Sequence, residues 1–350
     1  MDTGFRRCFR SIRDETPAKA GVHGLLIVTL FAGLLMLALP LATGAARADE
    51  ATVRISTLKF GTVTWALETM VANGFDREAG FRAELQGLAS TQATKVALQA
   101  GDTDVIAADW IWVSRQRAAG ENLTFLPFST AVGALVVPAE SPIQAITDLP
   151  GRRIGIAGGP LDKSWVLLRA VAERAHGLDL EDSVDAVYGA PPLLNELLQD
   201  GRIDAVLTYW HYAARLEAKG YRPVMPVRDL MRALDVSAPL PVIGFVFHQT
   251  WAEAHPAAAA GFADALNRAL DLLKRDDAAW QWLKPRLRAA DAATADLLRD
   301  GFRRGIPDGN RQRWPDDAAR LFAVLSEHGG PRLVGPAPTL QPGTFWAPGN

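Results

Sequence analysis

The chain has 350 residues, 49% of them hydrophobic, and a formal net charge of −2. That near-neutral balance, without blocks of Lys and Arg, argues against nucleic acid as a partner. One cysteine, Cys8, leaves no basis for a disulfide framework or a cysteine-held metal.

The N-terminus carries Arg6, Arg7, Arg10, Arg13 and Lys19, then an apolar run from Val22 to Ala46, then Ala46-Arg47-Ala48 before Asp49. Basic, apolar and small, in that order, is the pattern of a secretory signal peptide, so residues 1–48 are read as a leader removed on export to the periplasm. The apolar run also reaches the roughly 20 residues that a membrane anchor needs. Pro40 and the Ala/Gly-rich end favour cleavage. Cys8 leaves with the leader, and no cysteine stands at the cleavage site to take a lipid. What remains is mildly acidic and longer than one core usually organises, which predicts two lobes.

Strands are read at Val53–Phe60, Arg82–Leu88, Asp104–Ala107, Leu123–Phe128, Gly133–Val137, Arg153–Ala157, Val184–Tyr188 and Asp204–Leu207. Helices lie between them at Trp65–Asn73, Thr91–Ala100, Trp110–Ala119, Ser164–His176, Pro191–Asp200 and Trp210–Lys219. Short apolar strands joined by amphipathic helices predict parallel or mixed α/β sheets. One more strand is read at Val242–His248. From Trp251 to Glu327 the pattern is helical, with Pro256 at a helix start, and the Pro/Gly-rich tail from Gly329 is expected to be irregular.

The chain repeats itself at an offset of one hundred residues. Leu98, Gln99, Gly101, Asp104, Trp110, Arg115 and Gly120 match Leu198, Gln199, Gly201, Asp204, Trp210, Arg215 and Gly220. Each copy reads as a helix end, a glycine C-cap, a short buried strand and a new helix. This L-x-x-G-x-x-D joint, the two α/β halves, the leader and the helical C-terminus together resemble ABC-importer substrate-binding proteins. The group most resembled includes the thiamine-pyrimidine, nitrate, taurine and alkanesulfonate binders. The resemblance implies a two-lobed, type II-like periplasmic binding fold with a ligand cleft between the lobes. It places lobe one at 49–132 plus 245–350 and lobe two at 133–244. It implies a monomer that takes a small-molecule ligand, needs no cofactor or metal, and delivers its ligand to an ABC permease in the inner membrane.

Ligands of open parallel sheets gather at the carboxyl ends of strands, where helix N-termini present free N–H groups. That rule selects Thr64, Trp65, Ser90, Thr91, Asp109 and Trp110 in lobe one, with Glu68 one turn into its helix. In lobe two it selects Gly158, Gly159, Ser164, Tyr188, Tyr209, Trp210 and His211. Ser90, Thr91 and Asp109 are also ordinary N-cap types, and the glycines also suit a plain turn. The aromatic residues are read as a stacking clamp with one ring surface from each lobe, and Trp112 and Tyr212, two residues further along, as core. Asp109 is the sharpest polar candidate. Lys163 is the one cation read at the cleft, so the expected ligand is a neutral or cationic organic molecule, such as a heteroaromatic nitrogen compound. The histidines show no H-x-x-x-H or H-E-x-x-H spacing, and Gly-x-Ser-x-Gly is absent. The expectation is a binder and not an enzyme. The alternatives are an envelope enzyme or a ligand-sensing accessory protein on the same scaffold.

Overall fold

A computed structural model describes residues 51–236, 240–307 and 314–347. The leader read at residues 1–48 lies outside the described residues. Among those described, no helix is long and apolar enough to cross a membrane.

Ten strands form two sheets: β1 (Ala51–Leu58), β2 (Phe81–Leu88), β3 (Val105–Asp109), β4 (Leu123–Ser129), β5 (Ala134–Val137), β6 (Arg153–Ala157), β7 (Asp185–Gly189), β8 (Ala205–Thr208), β9 (Arg222–Pro226) and β10 (Ile243–His248). The first sheet has the order β2-β1-β3-β10-β4 and the second β7-β6-β8-β5-β9. In each, the first three strands are parallel. The fourth runs antiparallel to both its neighbours. That fourth strand is the one the chain delivers as it crosses between lobes: β5 on the way out, β10 on the way back. The expected two-lobed α/β architecture is therefore the fold observed. Strands β5 and β8 are buried along their whole length, as expected for strands covered by helices on both faces. Strand β9 and the helix Val227–Ala233 after it were not read from the sequence, because Pro223 and Pro226 mark that stretch as a breaker.

The repeated joint has a physical purpose. Gly101 and Gly201 end their helices in the left-handed region, at φ 76° and 66°, where a side chain would be strained. Three residues on, Asp104 accepts from the Arg54 backbone N–H at 2.8 Å and from its guanidinium at 2.6 Å. Asp204 does the same for Arg153, at 2.8 and 3.2 Å. Each guanidinium also donates to the carbonyl of the cap glycine. The joint thus pins the start of the central parallel strand in each lobe, far from the strands' carboxyl ends.

The C-terminal helices span Gln249–Ala254, Pro256–Arg275, Asp277–Leu287, Ala292–Gly305 and Trp314–Val334. The last does not end near Gly329 as expected. It bends at Gly330 (φ 64°) and continues. The tail beyond is ordered by a strand-like pairing, in which Phe125 N–H donates to Thr344 C=O and Trp346 N–H to Phe125 C=O, each at 2.9 Å. One buried cluster runs from Ile106 and Trp110 through Leu135, Ile156 and Trp165 to Leu321 and Leu325 of the last helix. A second joins Trp65, Phe81, Phe262, Trp280 and Phe302 of lobe one to Ala214 of lobe two. Both cores therefore cross the lobe boundary.

Candidate ligand-binding cleft

A cleft of about 530 Å³ opens at the carboxyl ends of the strands, between the lobes. Its walls include Gly61–Val63 after β1, Asp109 at the end of β3, Gly158 after β6 and Tyr209 after β8. Both crossings line it, through Ala131–Gly133 and Val242–Ile243, and they are joined by Val242 N–H donating to Ser129 C=O at 3.1 Å. About half of the remaining wall is aliphatic, including Val227, Met231, Leu321 and Leu325.

The polar centre is an ion pair across the cleft. The Asp109 carboxylate caps its helix by accepting from Trp112 N–H at 2.9 Å. It also lies 3.3 Å from the Lys163 ammonium of lobe two. Burial works against both charges, but the partners outweigh it. Lys163 and Lys95 hold the Asp109 carboxyl below the usual carboxylate value, and Asp109 and Asp162 hold Lys163 above the usual lysine value. Asp162 caps the Lys163–His176 helix through Ser164 N–H at 2.9 Å. Burial pushes the Asp162 carboxyl up. Burial, with the hydrogen bond to Asp162, likewise pushes up the Tyr209 hydroxyl. A Cβ on Gly158 would lie 2.6 Å from that hydroxyl, so this glycine leaves the space the tyrosine fills.

Of the residues selected from sequence, Thr91, Asp109, Gly158, Ser164, Tyr209, Trp210 and His211 line the cleft. The others do not form its walls. Thr64 turns its hydroxyl back to Gly61 C=O at 2.5 Å, and Ser90 caps its helix through Ala93 N–H at 3.1 Å. Gly159 follows Gly158 in the same turn, both at positive φ. Tyr188 is 39% exposed on the outer strand β7. Glu68 does not join Asp109. It pairs with Arg286.

The expected clamp is corrected. Trp110 is fully buried and packs on Phe345 at 5.9 Å. Trp65 is 4% exposed and meets Trp210 edge-on at 6.2 Å. The cleft's tyrosine and tryptophan faces therefore come from lobe two, and Phe302 and Phe128 add rings from lobe one. The reading of Trp112 as core holds in part, since it packs against the buried cluster. It is half-buried, with the Lys95 ammonium 4.6 Å above its ring.

Lys95 also lines the cleft, so Lys163 is not its only cation. Burial pulls the Lys95 ammonium below the usual lysine value, with Asp109 opposing. Its place one helical turn after Thr91 could have found it, since residues four apart share a face. Asp162, directly before Lys163 and Ser164, was legible as an N-cap type. Nothing in the sequence marks Phe302.

His211 is held neutral. Burial, aided by Arg215, lowers its pKa to about 4, and its Nδ1 is buried without a hydrogen-bond partner. Among the described residues it makes no hydrogen bond to Asp109, and no group of His, Cys, Asp and Glu could hold a metal.

The geometry defines a two-lobed protein with an organic-sized cleft between its lobes, lined by both crossings. The family described as NMT1/THI5 like matches residues 69–278, and the chain belongs to that family. No curated protein matches. Among solved structures, the alkanesulfonate-binding protein SsuA from Xanthomonas axonopodis pv. citri, bound to MOPS, is similar at a TM-score of 0.65 and 20% identity, covering 85% of this chain and 99% of that one. The periplasmic aliphatic sulphonate binding protein SsuA from Escherichia coli is similar at 0.67 and 21%, covering 85% and 92%. The desulfurization enzyme DSZB is similar at 0.56 and 18%, covering 80% and 92%. At these identities the likeness is one of fold.

Proposed function

We propose that this protein is the solute-binding component of an ABC importer. Exported to the periplasm as a monomer, it closes its lobes around a small organic molecule and hands it unchanged to an inner-membrane permease. The Asp109–Lys163 pair, 3.3 Å across the cleft, supports this reading most directly. Closing around a ligand requires contacts made from both lobes, and the pair is such a contact at the cleft itself. The similar sulfonate-binding proteins support the transport role, and DSZB is why turnover has to be measured.

The ligand we favour is neutral overall, with a flat apolar body against Trp210 and Phe302. A heteroaromatic nitrogen compound would satisfy this, its ring nitrogens exchanging hydrogen bonds with Lys163 and Asp109. A cationic ligand fits less well, because Lys163 already neutralises Asp109. A second reading, an organic anion, is favoured by Lys95, which makes no ion pair among the described residues.

The test is native mass spectrometry of the purified protein, followed by thermal shift with 4-amino-2-methylpyrimidine and with 1-pentanesulfonate. Stabilisation by the pyrimidine with no product after long incubation supports the first reading. Stabilisation by the sulfonate alone selects the second. A chemically altered probe would overturn the transport role.

A further inference from the structure

The helix Ala292–Gly305 touches both parts of the molecule that must move for the cleft to open. At its C-terminal end the Gly305 carbonyl accepts from Thr130 N–H at 2.9 Å, from the Thr130 hydroxyl at 3.2 Å and from the Ser129 hydroxyl at 3.4 Å. These donors belong to the first crossing. A Cβ on Gly305 would lie 2.6 Å from the Ala131 Cβ. One turn earlier, on the same face, Gly301 meets lobe two. A Cβ there would lie 2.9 Å from both Cε3 and Cζ3 of Trp210. Phe302, between them in sequence, lines the cleft itself.

Glycine is the poorest helix former after proline, and neither position has the positive φ that would call for it. What the two glycines provide is close approach. Trp210 is both a cleft wall and the side chain that fills the space over Gly301. The helix bearing Trp210 is held a second time from behind, where Arg215 donates to the carbonyls of Leu287 and Arg288 at 2.8 Å each.

We infer that the Ala292–Gly305 helix is the bearing on which lobe two turns, and that Gly301 and Gly305 are positioning residues for ligand binding. Gly301 sets the width of the cleft through Trp210, and Gly305 sets the path of the first crossing. The inference rests on the reading of the cleft as the binding site. It gives the C-terminal helices a role beyond completing lobe one.

The test places spin labels on exposed residues of the two lobes, at Val96→Cys and Leu193→Cys, in a Cys8→Ser background, and measures the distance between them. Gly301→Val should displace the main distance by more than the width of the wild-type distribution. Adding Trp210→Leu, which empties the space the valine needs, should bring it back. Gly301→Ala should give a smaller displacement and serves where the valine variant fails to fold. An unchanged distribution in a cooperatively folded Gly301 variant would overturn the inference, as would a double variant as displaced as the single one. Because the distance is read with no ligand added, this failure is separate from a failure of the ligand-binding proposal.

Discussion

The two lobes use one motif for two ends. At the back of each sheet the copies agree: Asp104 and Asp204 hold Arg54 and Arg153 in the same way. Arg115 and Arg215 both reach carbonyls at C-terminal helix ends, the former at Arg332 (3.3 Å) and the latter at Leu287 and Arg288. At the cleft the copies part. Asp109 caps its helix and carries a charge, whereas Tyr209 in the matching place caps nothing with its side chain and presents a ring. Trp110 is buried, but Trp210 lines the cleft. Ile111 is apolar, but His211 is a neutral imidazole. The repeated residues build the frame, and the site is made where the repeat breaks. Lobe one brings Asp109 and Lys95, and lobe two brings the tyrosine and tryptophan faces with Lys163, which pairs with Asp109.

The sharpest way to break this contrast is to shorten the two tryptophans. Trp110→Ala removes a fully buried indole and should cost about 3–5 kcal/mol in urea unfolding. Trp210→Ala removes a partly exposed one and should cost no more than about 2 kcal/mol by lost burial, while weakening binding of any stabilising probe. Equal losses of stability would mean that both tryptophans serve as core.

The frame was legible because its causes are local. Alternating apolar segments, glycine caps and the L-x-x-G-x-x-D spacing give strands, helices and their joints without knowledge of what packs on them. Which face of a helix meets the cleft was not local. Trp110 turns inward because the tail brings Phe345 against it, more than two hundred residues later. Trp65 is covered because Trp280 and Phe302 return from the C-terminal helices. Glu68 is taken by Arg286 for the same reason. The apolar character of the C-terminal helices was readable, but their docking site was not. Asp109 and Lys163 were both readable as cleft residues, yet nothing in the spacing showed that they meet.

His211 offers a pH test. Its folded pKa is about 4, below the roughly 6.5 of an unfolded histidine. As pH falls through that window the unfolded chain takes up the proton first, so stability should fall, by about 3 kcal/mol in all, and level off below it. Replacing His211 by the residue of the matching place in lobe one, His211→Ile, should remove this part of the slope between pH 6.5 and 4. The measurement is urea unfolding of both proteins across that range. Parallel curves would show that His211 is not held neutral.

Asp109→Asn separates charge from cap. Asparagine caps a helix about as well as aspartate, so the loss is that of the Lys163 partner. Lys163 remains about a third exposed, which limits the cost to about 2 kcal/mol. The folded-state lysine value, raised by Asp109, means that the pair's contribution is present at neutral pH and is lost as pH rises through that raised value. It is also lost in acid, as Asp109 takes up its proton below its lowered value. Wild type and variant should therefore differ most near neutral pH and converge at both extremes. A difference constant with pH would assign the effect to packing.

The smallest expected difference lies where the lobes agree best. Asp104 is 12% exposed and Asp204 33%, and the Arg54 guanidinium makes the shorter contact, 2.6 against 3.2 Å. Each carboxylate also satisfies a backbone N–H. Asp104→Ala should cost about 2 kcal/mol and Asp204→Ala about 1, because an unpartnered donor costs more the less water reaches it. Unfolding the two variants side by side reads the difference directly. If Asp204→Ala proves the more costly, burial does not rank the two joints.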